Sequence, residues 1–187
     1  MKTRAPFVTI VSGSPRDGTA LLMEMLVSGG LEALVDDVHK AGEPEPHGYY
    51  DYEPSLMLDV DDKTAEWVGG AQGKAVKVMP YQLQYLPPTV EYRVVFVCRK
   101  IAEILDSWTA MGLPGVESEP GASEAGTAAE TDHASLEARL LRQPHMPTMF
   151  VPYRDLVAEP EAQASRLVDF LGLPLDVDAM AAAARRD

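Results

Sequence analysis

The stretch VTIVSGSPRDGTALLMEML, residues 8–26, reads as a strand, a tight turn and a helix in direct succession. FVTIVS (7–12) is a short β-branched run closed by a turn cluster, the pattern of a strand buried on both faces. From Thr19 onward, Leu21, Leu22, Met25 and Leu26 fall on one helical face, and Gly29-Gly30 supplies a stop. A glycine-rich turn entering a helix aims several backbone N–H groups at one point, and the helix dipole adds partial positive charge there. Gly13 and Gly18 permit backbone conformations and close approaches that a side chain would block. The turn is therefore a candidate anion cradle centred on Arg16, Gly18 and Thr19, with Ser14, Asp17 and Ala20 beside them. Thr19 offers a hydroxyl besides its amide, and Arg16 at the crown offers a forked cation to oxyanions.

The same rhythm continues along the chain. GKAVKV (73–78), YRVVFVCR (92–99) and TMFVPY (148–153) read as further strands, and the paired prolines of YLPPT mark a loop between the first two. A helix is expected after Arg99, with Ile101, Ile104, Leu105 and Trp108 on one side. Another opens at Pro160, places Ala164, Leu167, Val168 and Leu171 on one face, and ends at Gly172. Strands alternating with helices imply an α/β fold: one domain over residues 1–187, with a parallel β-sheet flanked by helices on both faces. Residues 112–135 carry five acidic residues, no basic one, and much Gly, Ala, Ser and Pro, which predicts a mobile loop. Residues 40–70 show no period that assigns them to an element.

Composition narrows the function. The chain has 187 residues, long enough for a proper core, and its 16 basic against 29 acidic residues give a net charge of −13. Such a field repels nucleic acid and anionic membranes but leaves room for a small anionic ligand held by local donors. Cys98 is the only cysteine, so an intrachain disulfide is excluded and a reducing cytoplasm is the simplest location. The amino-terminal apolar run is too short for a signal peptide, and no segment approaches a membrane span. His39, His47, His133 and His145 lack metal-ligand spacing with one another or with Cys98, so no metal site is expected. Cys98 itself, inside an apolar strand, reads as a core residue.

The four-residue gap between Gly13 and Gly18 is that of a Walker A loop, yet Thr19 stands at the lysine position and Ala20 at the hydroxyl position. The usual grip on the β/γ-phosphates and Mg²⁺ is missing, which disfavours an ordinary ATP or GTP hydrolase. SGSPRDGTALLMEML resembles instead the 5′-phosphosulfate loop of the sulfotransferases, P-[KR]-S-G-T-[ST], with Asp17 at the serine position. VFVCRKIAEILDSW resembles the family's second block, an arginine followed eight residues later by a serine, here Arg99 and Ser107. VPYRDLVAEPEAQASRLVDFLGLPLD resembles its third block, and GYYDYEP and GKAVKV are similar to stretches of compact bacterial members. The resemblance covers most of residues 7–176 in the family's order. It implies a P-loop α/β fold, 3′-phosphoadenosine-5′-phosphosulfate (PAPS) as donor, no required metal, and a hydroxyl or amine acceptor on a small molecule or glycan. Arg16 and the turn would hold the 5′-phosphate and the sulfuryl group, Arg99 and Ser107 the 3′-phosphate, with Asp17 turned outward or capping a backbone N–H.

Many members place a histidine base two residues after a strand-end lysine; here Lys77 is followed by Met79 in that place. Lys77 is then a candidate donor to the sulfuryl group, or a lysine whose stem covers the strand end. Other branches of the family use a glutamate as base, so the nearest substitute is Glu53 of GYYDYEP, with Asp51 second; residues 51 and 53 would share a face in an extended segment, and both could then look into one cleft. Tyr49, Tyr50, Tyr52, Tyr81, Tyr85 and Trp108 are candidates to wall an aromatic acceptor or stack on adenine, with core packing their commoner fate. Two alternatives stay open: a P-loop small-molecule kinase, and a nucleotide-binding protein that kept the fold without turnover. Association into a homo-oligomer is equally open.

Overall fold

The computed structural model describes residues 7–13, 18–36, 50–58, 62–99, 140 and 142–185. Five strands, β1 (Val8–Gly13), β2 (Glu32–Ala33), β3 (Lys74–Lys77), β4 (Tyr92–Cys98) and β5 (Thr148–Pro152), form one sheet in the order β2-β3-β1-β4-β5. Every pairing is parallel; β1 sits at the centre, with Ile10 opposite Val76 on β3 and Val94 on β4. All six residues of β1 are buried, as its unbroken apolar run requires of a strand covered on both faces.

Alternation along β1 divides the core in two. Val11, with Ala75, Val95, Val97 and Val151, faces the helices α1 (Thr19–Ser28), α4 (Pro160–Leu171) and α5 (Val177–Ala184). Val8 and Ile10, with Val76, Val94 and Phe96, face the 3-10 segments Asp62–Ala71 and Pro80–Tyr85 and the residues Leu140 and Met146. Two short helices lie beside the strand ends: α2 (Glu53–Leu56), and α3 (Tyr153–Ala158), which follows β5 without a break. The α/β class, the parallel sheet and its flanking helices are as the sequence implies.

Local chemistry sets the helix ends. Pro160 opens α4, where its missing N–H costs no helical bond, and Gly172 closes it in the left-handed conformation. Asp176 caps α5, its side chain accepting the Ala179 N–H at 2.9 Å. Tyr92, fully buried at the start of β4, donates its hydroxyl to the Pro87 carbonyl at 2.9 Å, and burial pushes its phenol well above the usual range.

Several elements differ from expectation. The strand expected over 148–153 ends at Pro152, and Tyr153 begins α3. Residues 51 and 53 do not share an extended face, because Glu53 opens the helical turn α2. The two-residue β2, together with α3 and α5, was not assigned from the sequence. The helix expected after Arg99 and the loop expected at 112–135 lie outside the described residues.

Candidate functional site

In an open parallel sheet, ligands bind beyond the carboxyl ends of the strands where the strand order reverses. Here that point lies at β1: the chain runs to β2 and β3 on one side, then crosses to β4 and β5 on the other. Gly13, Lys77, Cys98 and Pro152 end their strands at this one edge, so the turn after β1, Lys77, Arg99 and Tyr153 all belong to it.

Gly18 occupies the position before α1 with φ 101° and ψ 18°, and its carbonyl accepts the Leu22 N–H at 3.1 Å. A glycine brings no side chain to cap the helix, and the first turn contains no acidic residue, so the positive end of α1 faces the strand edge. Thr19 is buried and Ala20 half-buried on that first turn. Space above Gly18 is taken by an aromatic ring: a Cβ built there would lie 2.7 Å from Tyr153 Cε2 and closer still to Cδ2. The same ring carries Arg99, whose guanidinium carbon stands 4.3 Å from its centroid, a cation–π contact. One tyrosine thus joins the glycine before α1 to the arginine after β4. Ser14, Arg16 and Asp17 of the turn, and Ser107, lie outside the described residues.

A second group of charges sits at the end of β3. Lys77 Nζ is 2.9 Å from Asp51 Oδ1, with side chains 19% and 18% exposed. The segment bearing Asp51 is tied down on several sides. Ser55, fully buried, has its hydroxyl 2.9 Å from the Lys77 carbonyl and 2.7 Å from the Tyr52 carbonyl, sharing its proton between them. The Asp36 N–H points to the Asp51 carbonyl at 3.4 Å, and Asp36 Oδ2 accepts the Glu53 N–H at 2.7 Å. Tyr50, at φ 49°, packs against the core under α1, and Tyr52 meets Trp67 edge-on at 5.4 Å against the core on the opposite face. Burial, reinforced by the Glu24 carboxylate, raises the Tyr50 phenol above its ordinary value. Residues 50–55 therefore cross the sheet edge as a strap, anchored on both faces, with Asp51 between the anchors. Glu53 is exposed at the start of α2.

Other candidates fall elsewhere. His145, the one histidine among the described residues, lies at the amino-terminal end of β4, where its carbonyl accepts the Tyr92 N–H and its ring meets the Tyr92 ring at 6.2 Å. Met79 opens the 3-10 segment after β3 and is bonded to Gln82 through its backbone. Cys98 is half-buried against the second core, and Tyr81 and Tyr85 are exposed. Tyr49, Trp108, His39, His47 and His133 lie outside the described residues. Among the described residues no group of three or more His, Cys, Asp or Glu side chains could hold a metal, and no helix is long and apolar enough to cross a membrane. Sequence reading missed Tyr153 as a site residue; its signal, an aromatic directly after a strand at the carboxyl edge, was absorbed into the strand.

No family model and no curated protein matches the chain. Solved structures do. Sulfotransferase STF9 from Mycobacterium avium aligns with a TM-score of 0.56 at 13% identity, over 98% of this chain and 68% of that one. Mouse sulfotransferase SULT7A1, solved with PAP, aligns with a TM-score of 0.54 at 15% identity, over 96% of this chain and 64% of its own. The sulfotransferase domain of the Synechococcus PCC 7002 olefin synthase gives 0.52 at 16% identity, over 96% and 78%. The chain therefore has the sulfotransferase fold. It spans under two thirds of the mouse enzyme and about four fifths of the cyanobacterial domain.

Proposed function

We propose that the chain is a cytoplasmic, PAPS-dependent sulfotransferase that transfers a sulfuryl group to a hydroxyl or amine of a small-molecule or glycan acceptor by in-line displacement. The observation that carries this reading is the Tyr153 ring, which packs on Gly18 and under Arg99. It joins Gly18, before α1, to Arg99, after β4, at the switch point of the sheet, a pairing that would suit a nucleotide with phosphates at both its 3′ and 5′ positions. The mouse neighbour solved with PAP supports the same class of ligand. In this reading PAPS supplies the activated sulfuryl group, and the chain binds, aligns and neutralises. Ser14, Arg16, Gly18, Thr19 and Ala20 hold the phosphosulfate through backbone N–H groups, the Thr19 hydroxyl and the guanidinium, with Asp17 facing outward. Arg99 and Ser107 hold the 3′-phosphate. Lys77 donates to the sulfuryl oxygens, and a carboxylate, Asp51 or Glu53, takes the acceptor's proton. No metal has a role in it.

Calorimetric titration with PAP (3′,5′-bisphosphoadenosine), set against ATP with Mg²⁺, tests the reading. Micromolar binding of PAP is expected, unmatched by ATP, and weakened about 10- to 100-fold in Arg99→Ala, the loss of one or two charge-assisted hydrogen bonds. Binding of ATP with Mg²⁺ alone would transfer the proposal to a kinase. PAP binding with no sulfation in a broad acceptor screen would mark a nucleotide-binding protein without turnover.

A further inference from the structure

We infer that Asp51, rather than Glu53, removes the acceptor's proton, and that Lys77 positions it. The inference rests on the sulfotransferase reading and assigns that reading's missing base. Both carboxylates belong to the 50–55 strap, but the strap treats them differently. Asp51 lies between anchors on the two faces of the sheet, its carboxylate 2.9 Å from Lys77 Nζ at the end of β3 and about four fifths buried. Glu53 is exposed, and its backbone N–H is committed to Asp36 at 2.7 Å. A base must meet the acceptor at the place where the sulfuryl group is held, and of these two carboxylates it is Asp51 that is paired with the residue proposed to hold that group.

The pairing also gives an order of events. An ammonium has three protons and can serve sulfuryl oxygens while it still faces a carboxylate. Held at 2.9 Å from that ammonium, the Asp51 carboxylate stands where an acceptor meeting the sulfuryl group would bring its proton. The acceptor oxygen then forms its bond to sulfur while the bond from sulfur to the 5′-phosphate oxygen breaks. The electron pair stays on the phosphate oxygen, and the acceptor's hydroxyl proton passes to Asp51. Sulfated acceptor and PAP depart, and Asp51 returns the proton to solvent. No other reactant is needed.

The test uses the full chain and PAPS, with water, phenol and 4-nitrophenol as probe acceptors, and follows release of PAP. Asp51→Asn is expected to slow transfer to phenol by about 10²- to 10⁴-fold, the range of a lost general base. PAP affinity should stay within about threefold of wild type, because the asparagine oxygen still accepts from Lys77. The loss should be clearly smaller with 4-nitrophenol, which gives up its proton unaided, a contrast that a merely structural role would not produce. Asp51→Ala should regain turnover when formate is added. Equal losses on both phenols, absence of formate rescue, or a loss in Glu53→Gln that matches Asp51→Asn would overturn the assignment. So would a wild-type chain that binds PAP yet transfers to none of the three probes. A wild-type chain that does not bind PAP would instead bring down the sulfotransferase reading itself.

Discussion

Gly18→Ala asks how tightly the site is built, and the structure supplies its own control. Gly18 has φ 101° and Gly30 has φ 98°, nearly the same backbone in a region that side chains rarely adopt. Around Gly30 nothing lies within 4 Å of an added Cβ, whereas at Gly18 that atom would be 2.7 Å from Tyr153 Cε2. Gly30→Ala therefore measures backbone strain alone, about 1–2 kcal/mol. Gly18→Ala adds displacement of a rigid ring whose cation–π contact with Arg99 is worth about 0.5–1 kcal/mol, besides lost packing. The sum is about 2–4 kcal/mol, or roughly 5–15 °C in melting temperature for a chain of this size. Urea and thermal unfolding of both variants, alone and in a Tyr153→Ala background, make the measurement. With the ring gone, Gly18→Ala should cost no more than Gly30→Ala, because the two residues couple only through contact. Equal costs for the two alanines in the native background would refute the argument, for the ring would then yield freely and could not be what fixes the turn to Arg99.

Two further outcomes follow from the same coordinates. Tyr92→Phe should cost about 1 kcal/mol at neutral pH for the hydrogen bond to Pro87. Because burial raises the Tyr92 phenol in the folded state above its value in the unfolded chain, near 10, its contribution is complete below about pH 10 and is lost as pH climbs further; urea midpoints of wild type and variant should therefore converge above that pH. At the site, Tyr153→Leu should weaken PAP binding by about 3- to 30-fold and Tyr153→Phe by far less, since Arg99 stands over the ring, which phenylalanine keeps; calorimetry showing equal losses would assign the effect to the hydroxyl.

What could be read from the sequence was what short stretches encode by themselves. The strand runs beginning near residues 7, 73, 92 and 148 are dense in β-branched and aromatic residues and bounded by turn chemistry, and each appears within a residue or so of its expected limits. The helices from Thr19 and Pro160 carry a 3.6-residue apolar face and a glycine stop, and both formed. β2 is two residues long and exists because the edge of β3 offers its Lys74 and Ala75 as partners; so short a strand has no period to detect. In α5 the run of alanines is apolar on every side, and its burial against α1 shows only once both helices are placed. The site divides in the same way. Gly18 announces itself as a glycine before a helix, and Lys77 as a charge closing an apolar strand. Their partners, Tyr153 and Asp51, are distant in the chain and meet them only through the strand order and through the strap's path over the edge. Glu53 was favoured because other branches of the family use a glutamate base; the extended segment that would turn both carboxylates to one cleft is absent, since Glu53 opens a helical turn.

The ring over Gly18 also has a consequence for the birth of the molecule. Gly18 and Tyr153 lie far apart in sequence, and Tyr153 follows directly on β5, the last of the five strands in chain order. Each parallel pairing between them closes a long loop before it returns any stabilisation, so the order of assembly is slow and sequential in its demands. A nascent chain lacking residues beyond β4 has its glycine turn but not the aromatic plate that covers it, nor the support beneath Arg99. If the chain is the proposed sulfotransferase, its nucleotide site would be complete only when the sheet is. On that proposal, a chain interrupted before its fifth strand would leave nucleotide in the pool while it folds.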